Sequence, residues 1–273
     1  MDYTSPDRFF LKGIKYLGWR TAFRKRVRTG GKLVQNTFFP VYKAYILAIL
    51  KLFRALVPSR YTDADPFKKI YVDPTQITRE TEGPCRHRGW VVDGEWDTGC
   101  RRIDDSELYR CFKRRFVDGE TWEETGYIDF ARDELRSGGN AWGLTSEDQI
   151  PTRCEQLDSI WRSMKSEGYK SQTELLEENP KATYNQNVDS VHPELNEIGV
   201  DIGRDGDVLW NRVGHHRLLM ATLLGIEQVP VFVHRRHKQW QQTRDEVRRN
   251  PASYTGSHPD LMELKGVPSS ENT

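Results

Sequence analysis

No Cys-x-x-Cys pair occurs in this chain, and its four cysteines, Cys85, Cys100, Cys111 and Cys154, fall at wide, irregular spacings. That argues against a zinc ribbon or finger, whose ligands come in close pairs. Cys85, His87, Cys100 and Cys111 are the set that offers zinc ligands by type, and the missing pairs count against it. Free thiols in a reducing cytoplasm are the expectation. A secretory signal is not expected either: the start is charged, and the first apolar run lies too far in. No stretch reaches the roughly 20 mostly uncharged apolar residues that a membrane span requires. With 36 % hydrophobic residues and a mean hydropathy of −0.75, the chain reads as a polypeptide with a wet surface. Its 273 residues are enough for a real core in one or two domains.

Acidic side chains are nearly missing from residues 1–60, which hold Asp2 and Asp7 against thirteen lysines and arginines. That segment carries +11, and the remainder of the chain, in a molecule of net charge +1, carries −10. Such asymmetry points to an anionic partner for the basic part, a membrane surface or nucleic acid. Residues 8–33 read as basic and partly helical, broken at Gly30-Gly31. FFPVYKAYILAILKLFRALVP, Phe38 to Pro58, shows helical spacing of apolar residues after Pro40, with Lys43, Lys51 and Arg54 sharing one face. The reading is a helix in the membrane interface, so that residues 8–58 contact anionic headgroups. A tilted span over 38–57, or a helix packed on the protein body or on a second subunit, are the alternatives.

After a polar linker at 61–66, KKIYVDP (68–74) reads as a strand closed by Pro74. GWVVDGEWD (89–97) reads as a hairpin about an Asp93-Gly94 turn. Helices are expected near 104–117, 127–137 and 151–167, the last stopped by Gly168. Residues 172–192 look loop-like apart from a turn of helix at TELLEE. IGVDIGRDGDVLW (198–210) reads as a second hairpin, followed by a helix over about 215–224, a glycine cap at Gly225, and a strand over 228–233. The element between them, NRVGHHRLLMATLLG, sets Gly214, His215, His216 and Arg217 at the mouth of a leucine-rich helix. Strand, loop, helix and strand with a glycine at the helix entrance is the local plan of an anion site. The amide N–H groups of a helix start attract phosphate, Arg217 offers a bidentate donor, and the two histidines donate or accept near neutral pH. Set against this, an arginine at a helix start often pairs with a nearby carboxylate.

GHHRLLMATLLGIEQVPVFV resembles the second signature box of the ParB/sulfiredoxin superfamily, where Gly-x-x-Arg enters a helix and a strand follows. VDPTQITR (72–79) is similar to the first ParB-type box, and LDSIWRSMKSEGYKSQ (157–172) resembles the helix between them. The resemblance implies an α+β fold, a small mixed sheet with helices over 66–240, carrying a helical and hairpin insertion at about 80–150. Residues 1–60 form a basic amphipathic leader, and 241–273 a C-terminal helix and polar tail. It also implies nucleotide phosphates at Gly214, His215, His216 and Arg217, with Arg79 of the first box; the ligand is ATP, ADP or CTP with Mg2+. The His-His-Arg wording is nearer the serine-kinase-like branch than the Glu-Arg-Arg of partition proteins. Sulfiredoxins carry a catalytic cysteine where this chain has His215, so sulfinic acid reduction is not expected. Partition proteins follow the box with a helix-turn-helix domain, and about 40 residues after Val233 are too few for one.

Phosphoryl transfer needs positioned phosphates, usually with a metal ion, and a group to orient or deprotonate the acceptor. Asp73, Asp93, Glu95, Asp97, Glu194 and Glu197 are the carboxylate candidates; Glu95, Asp97, Glu197 and His216 are the catalytic choice. Asp93 and Glu95 are expected on one side of a strand, with Trp90 and Trp96 lining a pocket. His234 and His237 form an HxxH pair that reads as a solvated basic edge rather than a metal site. The functional expectation is a membrane-associated, nucleotide-dependent phosphotransferase or nucleotidase on the inner face of the membrane. The alternatives are a ParB-like DNA-binding protein or nuclease, and a non-catalytic nucleotide-sensing scaffold. A homodimer is compatible with any of these.

Overall fold

Valine and phenylalanine dominate the first half of the strand on which the sheet is built, β7 (Val229–His237), which is buried at every position but Arg235. A strand covered on both faces reads as a continuous apolar run, and VPVFV is one. On one side β7 pairs in parallel with β5 (Ile198–Ile202), itself buried throughout, Ile198 facing Val231. Its other partners are β1 (Ile70–Val72), antiparallel with Ile70 opposite Val231, and β3 (Trp90–Val92), parallel with Trp90 opposite Arg235. Beyond β5 come β6 (Val208–Val213), antiparallel, then β2 (Arg79–Glu80), parallel to β6, and β4 (Arg101–Arg102), antiparallel to β2. The result is a mixed seven-stranded sheet in the order β1-β7-β5-β6-β2-β4, with β3 on β7.

This computed structural model describes residues 31–82, 88–137, 144–186 and 190–268, without the side chains of 31–35 and 184–186. The arginine-rich stretch 8–30, Cys85, His87 and the pair Gly138-Gly139 therefore lie outside the described residues. Among the described residues there are nine helices: α1 (Gly31–Leu56), α2 (Glu107–Phe116), α3 (Tyr127–Arg136), α4 (Ile150–Glu167), α5 (Gln172–Glu178), α6 (Pro180–Gln186), α7 (His215–Leu224), α8 (Lys238–Arg249) and α9 (Pro259–Met262). None of them is long and apolar enough to cross a membrane.

Local chemistry accounts for the ends. The Ser106 hydroxyl accepts the Tyr109 N–H at the start of α2. Gly225, left-handed at φ 65°, closes α7 with its N–H on the Ala221 and Thr222 carbonyls. Leu218, Leu219, Met220 and Ala221 of α7 are all buried, as expected of a helix apolar on most of its circumference. It packs on β5, on α2 and α4, and on the turn Pro74–Gln76.

Two expectations are corrected. The hairpin at 89–97 does not form: β3 takes β7 as its partner, and turns follow it from Asp93. Residues 172–186, read as loop with one helical turn, form α5 and α6. In addition, α1 begins before Pro40 rather than after it. Residues 80–150 supply β3 and β4 to the sheet and α2 and α3 to the core. The chain divides into two units, one of Met1–Ile46 with Gln172–Asn196, the other of Leu47–Ser171 with Glu197–Thr273. In the first, Phe39 stacks on His192 at 4.0 Å, the His192 ring meets Asn36 Oδ1 at 3.1 Å, and Lys43 pairs with Glu194 at 3.3 Å. The second contains the sheet and α7.

Candidate functional site

Strand β6 leaves the sheet through Asn211-Arg212-Val213-Gly214 and turns directly into α7. Gly214 has φ 74°, and a Cβ there would lie 2.9 Å from the Ile198 Cα. The glycine is thus required by its approach to β5 as well as by its left-handed backbone. A left-handed residue followed by helical ones turns successive amide N–H groups toward one side, a concavity suited to an anion. Gly214, having no side chain, supplies no cap of its own to this start. Two residues earlier, Arg212 is the only non-glycine residue with a positive φ, 66°, among the described residues. Backbone strain of this kind costs on the order of 1–3 kcal/mol and clusters at functional sites. The Arg212 side chain is about half exposed and stands 3.9 Å from Glu80, whose carboxylate already takes Arg101 at 2.7 Å.

Beneath the helix start lies a buried carboxylate. Glu197, fully buried just before β5, accepts from Arg217 Nη1 at 3.1 Å and from the Tyr169 hydroxyl at 3.3 Å, with Lys69 Nζ at 3.7 Å. Arg217 also donates to the Lys170 carbonyl at 2.6 Å, and its guanidinium lies 4.3 Å over the Tyr169 ring. The arginine expected to face phosphate is therefore turned inward in this structure. His216 points into the core and stacks on Phe112 at 5.5 Å. Burial, with His215 and Arg153 nearby, holds its imidazole well below the ordinary histidine range, hence neutral. His215 stays at the surface side, its Nδ1 3.2 Å from the Arg212 carbonyl.

The remaining expected residues sit at the other end of the same strands. Asp207 precedes β6 and Gly214 follows it, so six strand residues separate the two ends by about 20 Å at roughly 3.3 Å per residue. Arg79 pairs with Asp207 at 2.6 Å. Asp97 accepts the Arg204 backbone N–H at 2.7 Å and its guanidinium at 2.8 Å, in the turn joining β5 to β6. Burial raises the Asp97 pKa, but the Arg204 hydrogen bonds outweigh it and bring it down to about 2. Glu95 joins the same guanidinium at 2.9 Å. Sequence reasoning grouped Arg79, Glu95 and Asp97 with Gly214–Arg217; the sheet keeps them apart.

Asp93 does not share a strand face with Glu95; it pairs with Lys238 at 2.7 Å. Trp96 lies under Arg235 at 4.0 Å, and Trp90 is paired opposite that same arginine in the sheet. Asp73 accepts the Thr75 N–H and caps the Pro74–Gln76 turn. The solvated edge expected at His234 and His237 is corrected: both are buried. The His237 ring meets the Gly94 carbonyl at 2.9 Å and accepts the Gln239 N–H, capping α8. Cys100 and Cys111 are free thiols, and no group of three or more potential metal ligands occurs among the described residues. Sequence reasoning missed Arg212, Tyr169 and Lys69. Arg212 carries no local signal, because a left-handed arginine reads like any other, and the other two reach the site only through long-range packing.

No protein-family model, no curated protein and no solved structure matches this chain. The class that the fold defines is a mixed α/β protein with a mixed seven-stranded sheet.

Proposed function

We propose that the chain binds the phosphates of a nucleotide, ATP, ADP or CTP, at the start of α7, in the manner of the ParB/sulfiredoxin-like proteins that its GHHR box resembles. The observation that carries this reading is the junction at Gly214, where a left-handed residue feeds α7 two residues after the exposed, left-handed Arg212. The helix dipole and a guanidinium then act on one anion. Mg2+ would be held chiefly by phosphate oxygens and water, its usual arrangement in nucleotide sites, because the buried carboxylate of Glu197 is already bonded to Arg217 and Tyr169.

In the catalytic form, a nucleotide-dependent phosphotransferase or nucleotidase, phosphate draws Arg217 from Glu197, and the freed carboxylate serves as base. The inward setting of Glu197 and His216 favours a second reading, a nucleotide-sensing protein without turnover. In both, residues 8–58 rest the chain peripherally on an anionic membrane.

Calorimetry with a panel of nucleotides and Mg2+ tests the binding. The wild type binds at least one of them, and Arg212→Gln weakens that binding about tenfold, the loss of one charge-assisted hydrogen bond. Absence of binding by every nucleoside di- and triphosphate would end the proposal. Glu197→Gln separates the two forms: it abolishes turnover in the first, and in the second there is no turnover to lose.

A further inference from the structure

Arg235 is the one residue of β7 that is not buried, yet its side chain is only 13 % exposed. The pairing of β5 with β7 shifts register between Val200 and Ile202, and there Asp201 meets Arg235. Irregularities of this kind re-aim side chains and are over-represented next to active sites. The Arg235 Nε donates to Asp201 Oδ2 at 2.8 Å, and the guanidinium lies 4.0 Å over the Trp96 ring. Asp201, fully buried, is itself held by the Thr81 hydroxyl at 3.0 Å and the Asn211 amide at 3.4 Å. A carboxylate at Nε and an indole on one face together fix the plane of the guanidinium. Its outer edge is left over. A guanidinium carries five N–H donors, and among the described residues only Nε has an acceptor. The N–H groups of Nη1 and Nη2 form a planar fork, the geometry that matches an oxyanion.

We propose that the Nη1–Nη2 edge of Arg235 is a binding subsite for the carboxylate of a small molecule. Asp201 sits at the end of β5 that leads to Arg204, whereas Gly214 approaches Ile198 at the other end of that strand. The subsite is therefore separate from the start of α7 and does not depend on nucleotide binding there. Charge selects the ligand. Around the Cys100 thiol the guanidiniums of Arg79 and Arg235 are matched by the carboxylates of Asp97 and Asp201. Arg79 also holds Asp207 at 2.6 Å, and Asp97 holds Arg204 at 2.8 Å. These neighbours leave no surplus of positive charge for a phosphate dianion, whereas a monoanion shaped to the fork takes two parallel hydrogen bonds. The thiol adds no negative charge of its own, because burial raises its pKa.

The test is proton–nitrogen NMR of the isotope-labelled full chain, titrated with acetate, benzoate and inorganic phosphate at constant ionic strength. The readouts are the Arg235 Nε–H and Trp96 Nε1–H signals, assigned with Arg235→Lys and Trp96→Phe. Both signals should move saturably with benzoate or acetate, with a dissociation constant of about 10 mM or tighter, and phosphate should bind more weakly. Arg235→Lys keeps a charge for Asp201 but loses the fork, so carboxylate binding should weaken about tenfold. Arg212→Gln should leave it unchanged. If Arg235→Lys does not fold, the Trp96 signal of the wild type still reads the subsite. No saturable movement of either signal overturns the inference, as does equal binding by Arg235→Lys, which would mark a diffuse ionic effect. Tighter binding of phosphate than of both carboxylates overturns the choice of ligand. Loss of carboxylate binding in Arg212→Gln assigns the anion to the α7 entrance and overturns the subsite, leaving the nucleotide reading intact.

Discussion

Gly214 carries two demands at once, a left-handed backbone and a 2.9 Å approach to the Ile198 main chain. Gly214→Ala must therefore strain φ and push the α7 entrance off β5. A loss of about 2–4 kcal/mol is expected, above the 1–3 kcal/mol of backbone strain alone, read by urea unfolding at neutral pH. Asp97 makes a different residue-scale prediction. Its folded pKa of about 2 lies below the ordinary aspartate value of about 3.9, so the folded state favours the ionised carboxylate. The stability it contributes is present in full above about pH 5 and is lost as pH falls through 4 toward 2. Asp97→Asn should flatten the stability profile across that interval and lower stability at pH 7; an unchanged acid limb would exclude the Arg204 contact as its origin.

Among the elements, α7 is the one whose burial the sequence made plainest. Leucines and methionine over most of its circumference, with glycine at each end, specify both its limits and its lack of a wet face. Leu219→Ala, at a position 1 % exposed, should cost about 2–5 kcal/mol by cavity formation, measured as a shift in the denaturant midpoint at constant slope. The β5–β6 hairpin was equally legible, because its strands and its Asp205-Gly206 turn are contiguous. The partnership of β3 was not. WVVDG carries a local hairpin signal, and the strand that wins it, β7, lies far along the chain, so nothing nearby in sequence records the choice. The candidate site divides the same way. The glycine at the mouth of α7 was legible because the box is local, whereas Arg217's pairing with Glu197 and the grouping of Arg79, Glu95 and Asp97 elsewhere depend on strand direction. For α1, periodicity revealed an amphipathic helix but not which side the protein would claim, since that follows from Glu194 and Asp245 more than a hundred residues downstream.

At the scale of the whole second unit, a buried ionic clamp ties β7, α8 and α9 together. Asp260, fully buried, accepts from Arg236 Nε at 3.0 Å and Trp240 Nε1 at 2.9 Å, with Arg244 at 3.3 Å; Arg244 also reaches Asp63 at 3.0 Å and Glu263. Burial works against its charge, but the two guanidiniums prevail and hold the carboxyl far below its usual range. Asp260→Asn takes from Arg236 its buried counter-charge, while Arg244 keeps Asp63 and Glu263, and should cost about 3–5 kcal/mol in equilibrium unfolding. A change within experimental error would mean that apolar packing alone secures the C-terminal helices. The antiparallel run of β5 and β6 has its own large-scale consequence. With Glu197 at one end and Asp97 at the other, sharing no partner among the described residues, the sheet should act as a thermodynamic insulator. Glu197→Gln and Asp97→Asn should sum in a double variant to within about 0.5 kcal/mol, while Glu197→Gln and Tyr169→Phe, which share a hydrogen bond, should not. An anion captured beside α7 would then leave the protonation of Asp97 untouched, making each end of the sheet a reporter blind to the other.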